Sequence, residues 1–155
     1  MTEVTNAPDV SALDIPMDAW TKPFWDAADC KTLLLPQCGE CEWFRWPPGP
    51  FCPRCHSQVV AWRPAGQPRV YSYTIIRQSE GKEAARVIAP ALVEFPDAGG
   101  VRIVAAIVDT PVDRLQVGSY LTVSWSQAAN AAIPVFRVSS SAGPTRYSDP
   151  SPSVR

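Results

Sequence analysis

Four of the chain's five cysteines fall in the eighteen residues CGECEWFRWPPGPFCPRC, from Cys38 to Cys55, as two Cys-x-x-Cys pairs ten residues apart. Each pair can offer two sulfurs from one tight turn, and the connecting loop can fold both turns onto one ion. Zn²⁺ takes four ligands in a tetrahedron, with thiolate sulfurs at roughly 2.3 Å. Cys38, Cys41, Cys52 and Cys55 are therefore expected to hold a structural Zn²⁺. Gly39 and Pro53 stand where knuckle turns accept small or φ-fixed residues. Binding in comparable peptides contributes on the order of 10–16 kcal/mol, enough to fold a ribbon that has little core of its own. Iron is the chemical alternative, because a rubredoxin-like site has the same four thiolates. A redox dithiol needs only one pair, at a helix start in a βαβ setting that the sequence lacks.

Four protein ligands leave a metal no open position for water or substrate, so chemistry has to be sought elsewhere. Acyl-transfer or thiol catalysis needs a base oriented beside its nucleophile. His56, the only histidine, follows the last knuckle cysteine directly and reads as a surface or supporting residue. Cys30 reads as a small apolar residue of a helix, with Lys31 beside it but no base in view. An independent thiol enzyme built on Cys30 is thus disfavoured. Glu80, Glu83, Glu94, Asp97, Asp109 and Asp113 lie mostly at expected turns, where carboxylates are solvated or cap backbone groups. Phosphate-cradling glycine loops are missing from the sequence. The chain alone does not read as a complete enzyme.

The elements that must position the cysteines follow from local pattern. Residues 1–32 form an N-terminal arm, mobile over about its first sixteen residues, with a short helix from about Pro23 to Asp29. Trp20, Phe24, Ala27 and Ala28 share helical spacing, and Thr21 is placed to cap with Pro23 in the first turn. Trp20, Phe24 and Trp25 either pack on the body or dock on a partner, since such residues are enriched at interface hot spots. KTLLLPQC and HSQVVAWRPA should be strands entering and leaving a ribbon at 33–64. Five β-rich runs follow over 65–139: RVYSYTIIR, RVIAPALVEF, VRIVAAIVD, SYLTVSW and PVFRVS. In the fourth, Leu121, Val123 and Trp125 alternate with Tyr120, Thr122 and Ser124, as in a half-buried strand. The third is apolar on both faces, as in a central strand or one covered by another element. Five short strands in this length fit a small Greek-key barrel of the OB type. Residues 140–155, SAGPTRYSDPSPSVR with the preceding serine, read as a disordered tail. The expected fold class is mainly β: a helical arm, a four-cysteine zinc ribbon and a five-stranded OB-fold barrel.

Bulk composition narrows the function classes. The chain has 155 residues, 46% apolar and 19% charged, with a net charge of −1 and a pI near 5.8. A protein that neutralises many phosphates is usually basic, so a single-stranded nucleic-acid binder, the alternative use of ribbons and OB-folds, is disfavoured. The sequence has no apolar run of the roughly 20 residues that a membrane helix needs. The polar, acidic start MTEVTNAPDVSALDIP does not look like a signal peptide, and paired cysteines suit a reducing compartment; the expected location is the cytoplasm.

Taken in order, FWDA, LLLPQCGEC, WPPGPFCPRC, AWRPAG and VYSYTIIR resemble the domain-of-unknown-function-35 family over about Trp20 to Val138. The resemblance implies a helical arm, a rubredoxin-like zinc ribbon and a C-terminal OB-fold. It also implies a role in acyl-CoA metabolism, as the partner of a thiolase-like protein: a thiolase, an acyltransferase or a retro-aldolase. One departure stands out. Relatives often carry a Ser-Gly-x-Gly turn before the first barrel strand, whereas this chain has AGQPRV, with Gly66 kept and Pro68 in place of a glycine. Pro fixes φ and removes a donor, so this corner should be stiffer and any grip on CoA or pantetheine there is in doubt. Arg77, Lys82 and Arg86 are the candidates for CoA phosphates, or else belong to a solvated loop. Trp43, Phe44 and Trp46 are candidates for an acyl or pantetheine channel, or pack the ribbon on the barrel. An organic cofactor is not expected.

Overall fold

The computed structural model describes residues 2–79 and 86–140; Lys82, Glu80, Glu83 and the expected tail from 141 onward lie outside them. One helix, α1 (Lys22–Asp29), precedes the strands. Asp18, not Thr21, organises its entry: its Oδ1 accepts from the Trp20 and Thr21 backbone N–H groups at 2.9 and 2.8 Å. The exit is a Schellman turn, with Lys31 N–H donating to Ala28 O, Thr32 N–H to Ala27 O and Lys31 at φ 59. Phe24 and Ala28 are buried, whereas Cys30 is exposed at the helix end and not packed inside it.

The ribbon is a two-stranded antiparallel sheet, β1 (Leu34–Cys38) against β2 (Val60–Pro64). The first expected barrel strand is broken into β3 (Arg69–Tyr73) and β4 (Ile76–Gln78), both pairing with β5 (Arg86–Phe95). Pro90 accounts for the break. Its carbonyl accepts from Thr74 N–H, so its missing donor faces the same neighbour and one ladder bond cannot form. After β5 come β6 (Val101–Ile107), β7 (Leu121–Gln127) and β8 (Ala132–Val138).

The strand order is β3-β5-β6-β8-β7, with β6 and β8 parallel and the other neighbours antiparallel. The two edges meet only at one end, where Arg69 bridges Tyr120 and Leu121 N–H donates to Pro68 O at 2.9 Å. The expected barrel is therefore not closed by a continuous ladder. The inner faces enclose Val70, Val93, Phe95, Ile107, Leu121 and Phe136, and Leu35 of the ribbon joins the same cluster. The outer face of β6 is only partly covered: Val104 is 75% exposed.

The start of the chain is held and not a loose arm. Thr5 N–H donates to Thr110 O, Asp109 N–H to Thr5 O, and Asn6 N–H to Val87 O at 2.7 Å. Thr5 and Thr110 are buried, with Thr5 Oγ1 accepting from Thr110 N–H at 3.1 Å. Among the described residues no helix is long and apolar enough to cross a membrane.

Candidate metal centre and the apolar cavity beside it

Both knuckles are made by the same pair of backbone hydrogen bonds. Cys38 N–H donates to Trp43 O and Glu42 N–H to Cys38 O; Cys52 N–H donates to Ser57 O and His56 N–H to Cys52 O. Glu42 and His56 occupy equivalent places, each the residue after the pair's second cysteine, and both are left-handed at φ 58 and 60. His56 is exposed there, and its place in the knuckle is a matter of backbone conformation. Gly39 lies so close to Val59 that a β-carbon would meet Val59 Cγ1 at 2.5 Å, which explains a small residue in the first turn.

The turns bring all four sulfurs within 4.8 Å of one another, with Cys38–Cys55 at 3.5 Å and Cys41–Cys52 at 3.6 Å. A tetrahedron with 2.3 Å metal–sulfur bonds has sulfurs about 3.8 Å apart, so the donor set fits a four-coordinate ion. The thiols are electrostatically unequal. Backbone N–H groups of Cys41 and Glu40 push the Cys38 thiol down to about 6. At Cys52 burial opposes ionisation, and the N–H groups of Cys55 and Arg54 outweigh it and lower the pKa. The Ser57 N–H favours ionised Cys55, but burial and the crowded sulfurs of Cys41, Cys38 and Cys52 override it, and the thiol is pushed up to about 12. Those protons belong to the cluster as a whole and would leave when a metal binds.

The aromatic residues between the knuckles divide. Phe44 and Trp46 pack against the barrel core, while Trp43 is 48% exposed with the Arg54 guanidinium over its ring at 5.5 Å. Trp46 also meets α1: its ring lies 5.1 Å from that of Phe24, which packs edge-on against Trp25 at 4.9 Å. These three rings line a partly open cavity of about 230 Å³, together with Ala106, Ile133 and Val135 on the outer face of the sheet. Residues from two separate expectations, the channel candidate Trp46 and the partner candidates Phe24 and Trp25, thus share one apolar site. Trp20 stays apart and 39% exposed.

Two of the three basic candidates, Arg77 and Arg86, are brought to the N-terminal segment. Arg77 forms a bidentate pair with Glu3, its Nη2 at 2.6 Å, and Arg86 Nη2 donates to Ala7 O at 3.0 Å. Glu94 is not at a turn but buried in β5, gripped by Arg69 at 2.6 Å and Arg102 at 3.1 Å. Arg69 first, and Arg102 with it, hold its carboxyl below the usual carboxylate range against the opposing effect of burial. Asp97 accepts from Gln67 N–H at 3.2 Å and presses on Gly66, where φ is +79 and a β-carbon would meet the Asp97 side chain at 2.6 Å. The corner that departs from the family turn is built on this glycine–aspartate contact, a feature that sequence pattern did not reveal.

Residues 62–126 match the family model described as ChsH2, C-terminal OB-fold domain. A protein of Thermomonospora curvata described as a probable enoyl-CoA hydratase alpha subunit is 33% identical over 119 residues, covering 74% of this chain and 36% of that protein. The chain therefore spans about a third of that relative's length. Among solved structures, one described as the Ltp2–ChsH2(DUF35) aldolase aligns with a TM-score of 0.69 and 28% identity, over 81% of this chain and 98% of that one. A second, a protein of unknown function from the DUF35 family of Sulfolobus solfataricus, shares the fold with a TM-score of 0.59 at 19% identity, over 79% and 85%. With the four-cysteine cluster of the ribbon and the OB strand order in place, the chain resembles the domain-of-unknown-function-35 family in both sequence and fold.

Proposed function

We propose that this chain is the accessory subunit of a hetero-oligomeric enzyme acting on acyl-CoA thioesters, with the catalytic groups supplied by a thiolase-fold partner of the aldolase type. The observation that carries this reading is the alignment over 98% of the DUF35 chain from a structure described as an aldolase. The relative described as a hydratase subunit supports the acyl-CoA setting. His56 and Cys30, which a catalytic pair would need, are an exposed knuckle residue and an exposed helix end.

Within this reading the four cysteines hold a structural Zn²⁺ that fixes the loop carrying Trp43, Phe44 and Trp46. The arm at 1–32, ribbon at 33–64 and OB-fold at 65–139 act as one scaffold, working in the cytoplasm where thiols stay reduced. The cavity behind Phe24, Trp25 and Trp46 suits the hydrocarbon part of an acyl group, and exposed Trp20 suits the partner interface. CoA phosphates are assigned to Arg77, Lys82 and Arg86, with Arg77 exchanging Glu3 for a phosphate.

The test is co-expression of the tagged chain with the thiolase-like proteins of its host. The expected result is a stoichiometric complex whose carbon–carbon cleavage of a CoA thioester depends on this chain. A partner fully active alone overturns the proposal, as does salt-sensitive binding of oligonucleotides with no such complex.

A further inference from the structure

Two charged side chains are buried among the described residues, and the fold treats them differently. Glu94 has a guanidinium on each side. Arg45, 4% exposed in the loop between the knuckles, has no carboxylate within ion-pair distance among the described residues; its side chain makes only a 3.4 Å contact from Nη1 to Ser57 O, and Nε and Nη2 find no acceptor among them. An arginine cannot shed its proton, so a buried one without an anion is strongly unfavourable.

Its surroundings name the missing counter-charge. Ser57 O, which Arg45 touches, also accepts from Cys52 N–H at 2.8 Å, and Arg45 N–H donates to Pro36 O, two residues before Cys38. The guanidinium thus touches the backbone of the second knuckle, while the Arg45 main chain is tied to the strand that leads into the first. Four thiolates around a divalent ion leave two net negative charges in this half-buried place. Glu40 and Glu42, the carboxylates nearest in sequence, are both exposed.

We propose that Arg45 is the positioning cation of the metal centre, a buried positive charge that offsets the surplus negative charge of the four-thiolate site and so strengthens metal binding. The inference rests on reading the cysteine cluster as a metal site. Groups beyond the direct ligands typically set metal affinity by about 10- to 100-fold.

The full chain is loaded with Zn²⁺, and affinity is measured by competition with a chromophoric chelator for the wild type, Arg45→Lys, Arg45→Gln and Arg45→Met. The expected result is a loss of about 10- to 100-fold in Arg45→Gln and Arg45→Met, and only a few-fold loss in Arg45→Lys. With iron in place of zinc, the Fe³⁺/Fe²⁺ potential should fall in the neutral variants, because the more negative reduced centre loses its cation. Unchanged affinity and potential in Arg45→Met overturn the proposal, since a side chain that only fills space is replaced well by methionine. If Arg45→Met does not fold even with zinc, folding of Arg45→Lys but not Arg45→Gln supports the charge role; failure of both overturns it. Wild-type protein that takes up no metal would instead defeat the metal reading itself.

Discussion

Glu94 shows how the penalty of burying a charge can be offset by partners on both sides. Arg69 lies opposite it on β3 and Arg102 opposite it on β6, so its two oxygens are each met by one guanidinium. Arg102 in turn stacks on Tyr71, with its guanidinium carbon 3.5 Å from the ring centroid. The depressed carboxyl pKa makes the contribution of this cluster present above the ordinary carboxylate range and lost as pH falls through the folded-state value. Glu94→Gln should therefore lower the urea midpoint at pH 7, with the gap to wild type constant down to about pH 5 and closing below about pH 4. A gap that persists undiminished at pH 3 would assign the effect to shape and not to charge. Nothing in the run RVIAPALVEF marks Glu94 as buried, because its partners lie 25 and 8 residues away and only strand register unites them. The cysteines were legible for the opposite reason: their chemistry is written in short spacing.

At the scale of elements, hydrophobic and β-branched runs located the ribbon and barrel strands, and the helix begins one residue before its expected start. The break between β3 and β4 was not expected from RVYSYTIIR itself, because its cause, Pro90, stands in the neighbouring strand. The N-terminal segment was not legible, since EVTNAPD has no apolar period; it is held by hydrogen bonds that alternate between backbone and side chain. Thr5 is its anchor, with its hydroxyl accepting from the buried Thr110 N–H. Thr5→Val keeps the shape and removes that acceptor, which should cost about 1–2 kcal/mol, the usual penalty for a buried donor left unpaired. Equilibrium urea unfolding reads this directly. An unchanged midpoint would mean that the segment leaves the barrel without consequence, as a mobile arm would.

On the scale of the whole molecule, ribbon and barrel follow one another in sequence and share one apolar core. Of the aromatic residues expected either to line a channel or to pack the ribbon on the barrel, Phe44 and Trp46 do pack there. Leu35 from β1 and Ala65 after β2 are buried with Val93 and Phe95, and Phe44 and Trp46 pack on the same cluster. Trp46 then reaches α1 through Phe24, and Asp29 at the end of α1 accepts from Ala132 N–H of β8 at 2.8 Å. The metal loop is therefore joined to the barrel on two sides, directly and through the helix. With a metal on the four cysteines, as proposed, its removal would leave four crowded thiols whose turns are held by two backbone hydrogen bonds each, and the loop carrying Trp46 would lose its brace. Chelation should thus do more than unfold the ribbon. It should red-shift tryptophan fluorescence as Trp46 meets water, and speed amide exchange in β8 as well as in β1 and β2. It should also lower the thermal midpoint of the barrel, because Phe95 and Val93 lose their cover from the ribbon. Zinc added back should restore all three readouts. A barrel whose midpoint and β8 exchange ignore the chelator would mean that the shared core carries no coupling, and that the ribbon is an appendage clipped to an independent fold.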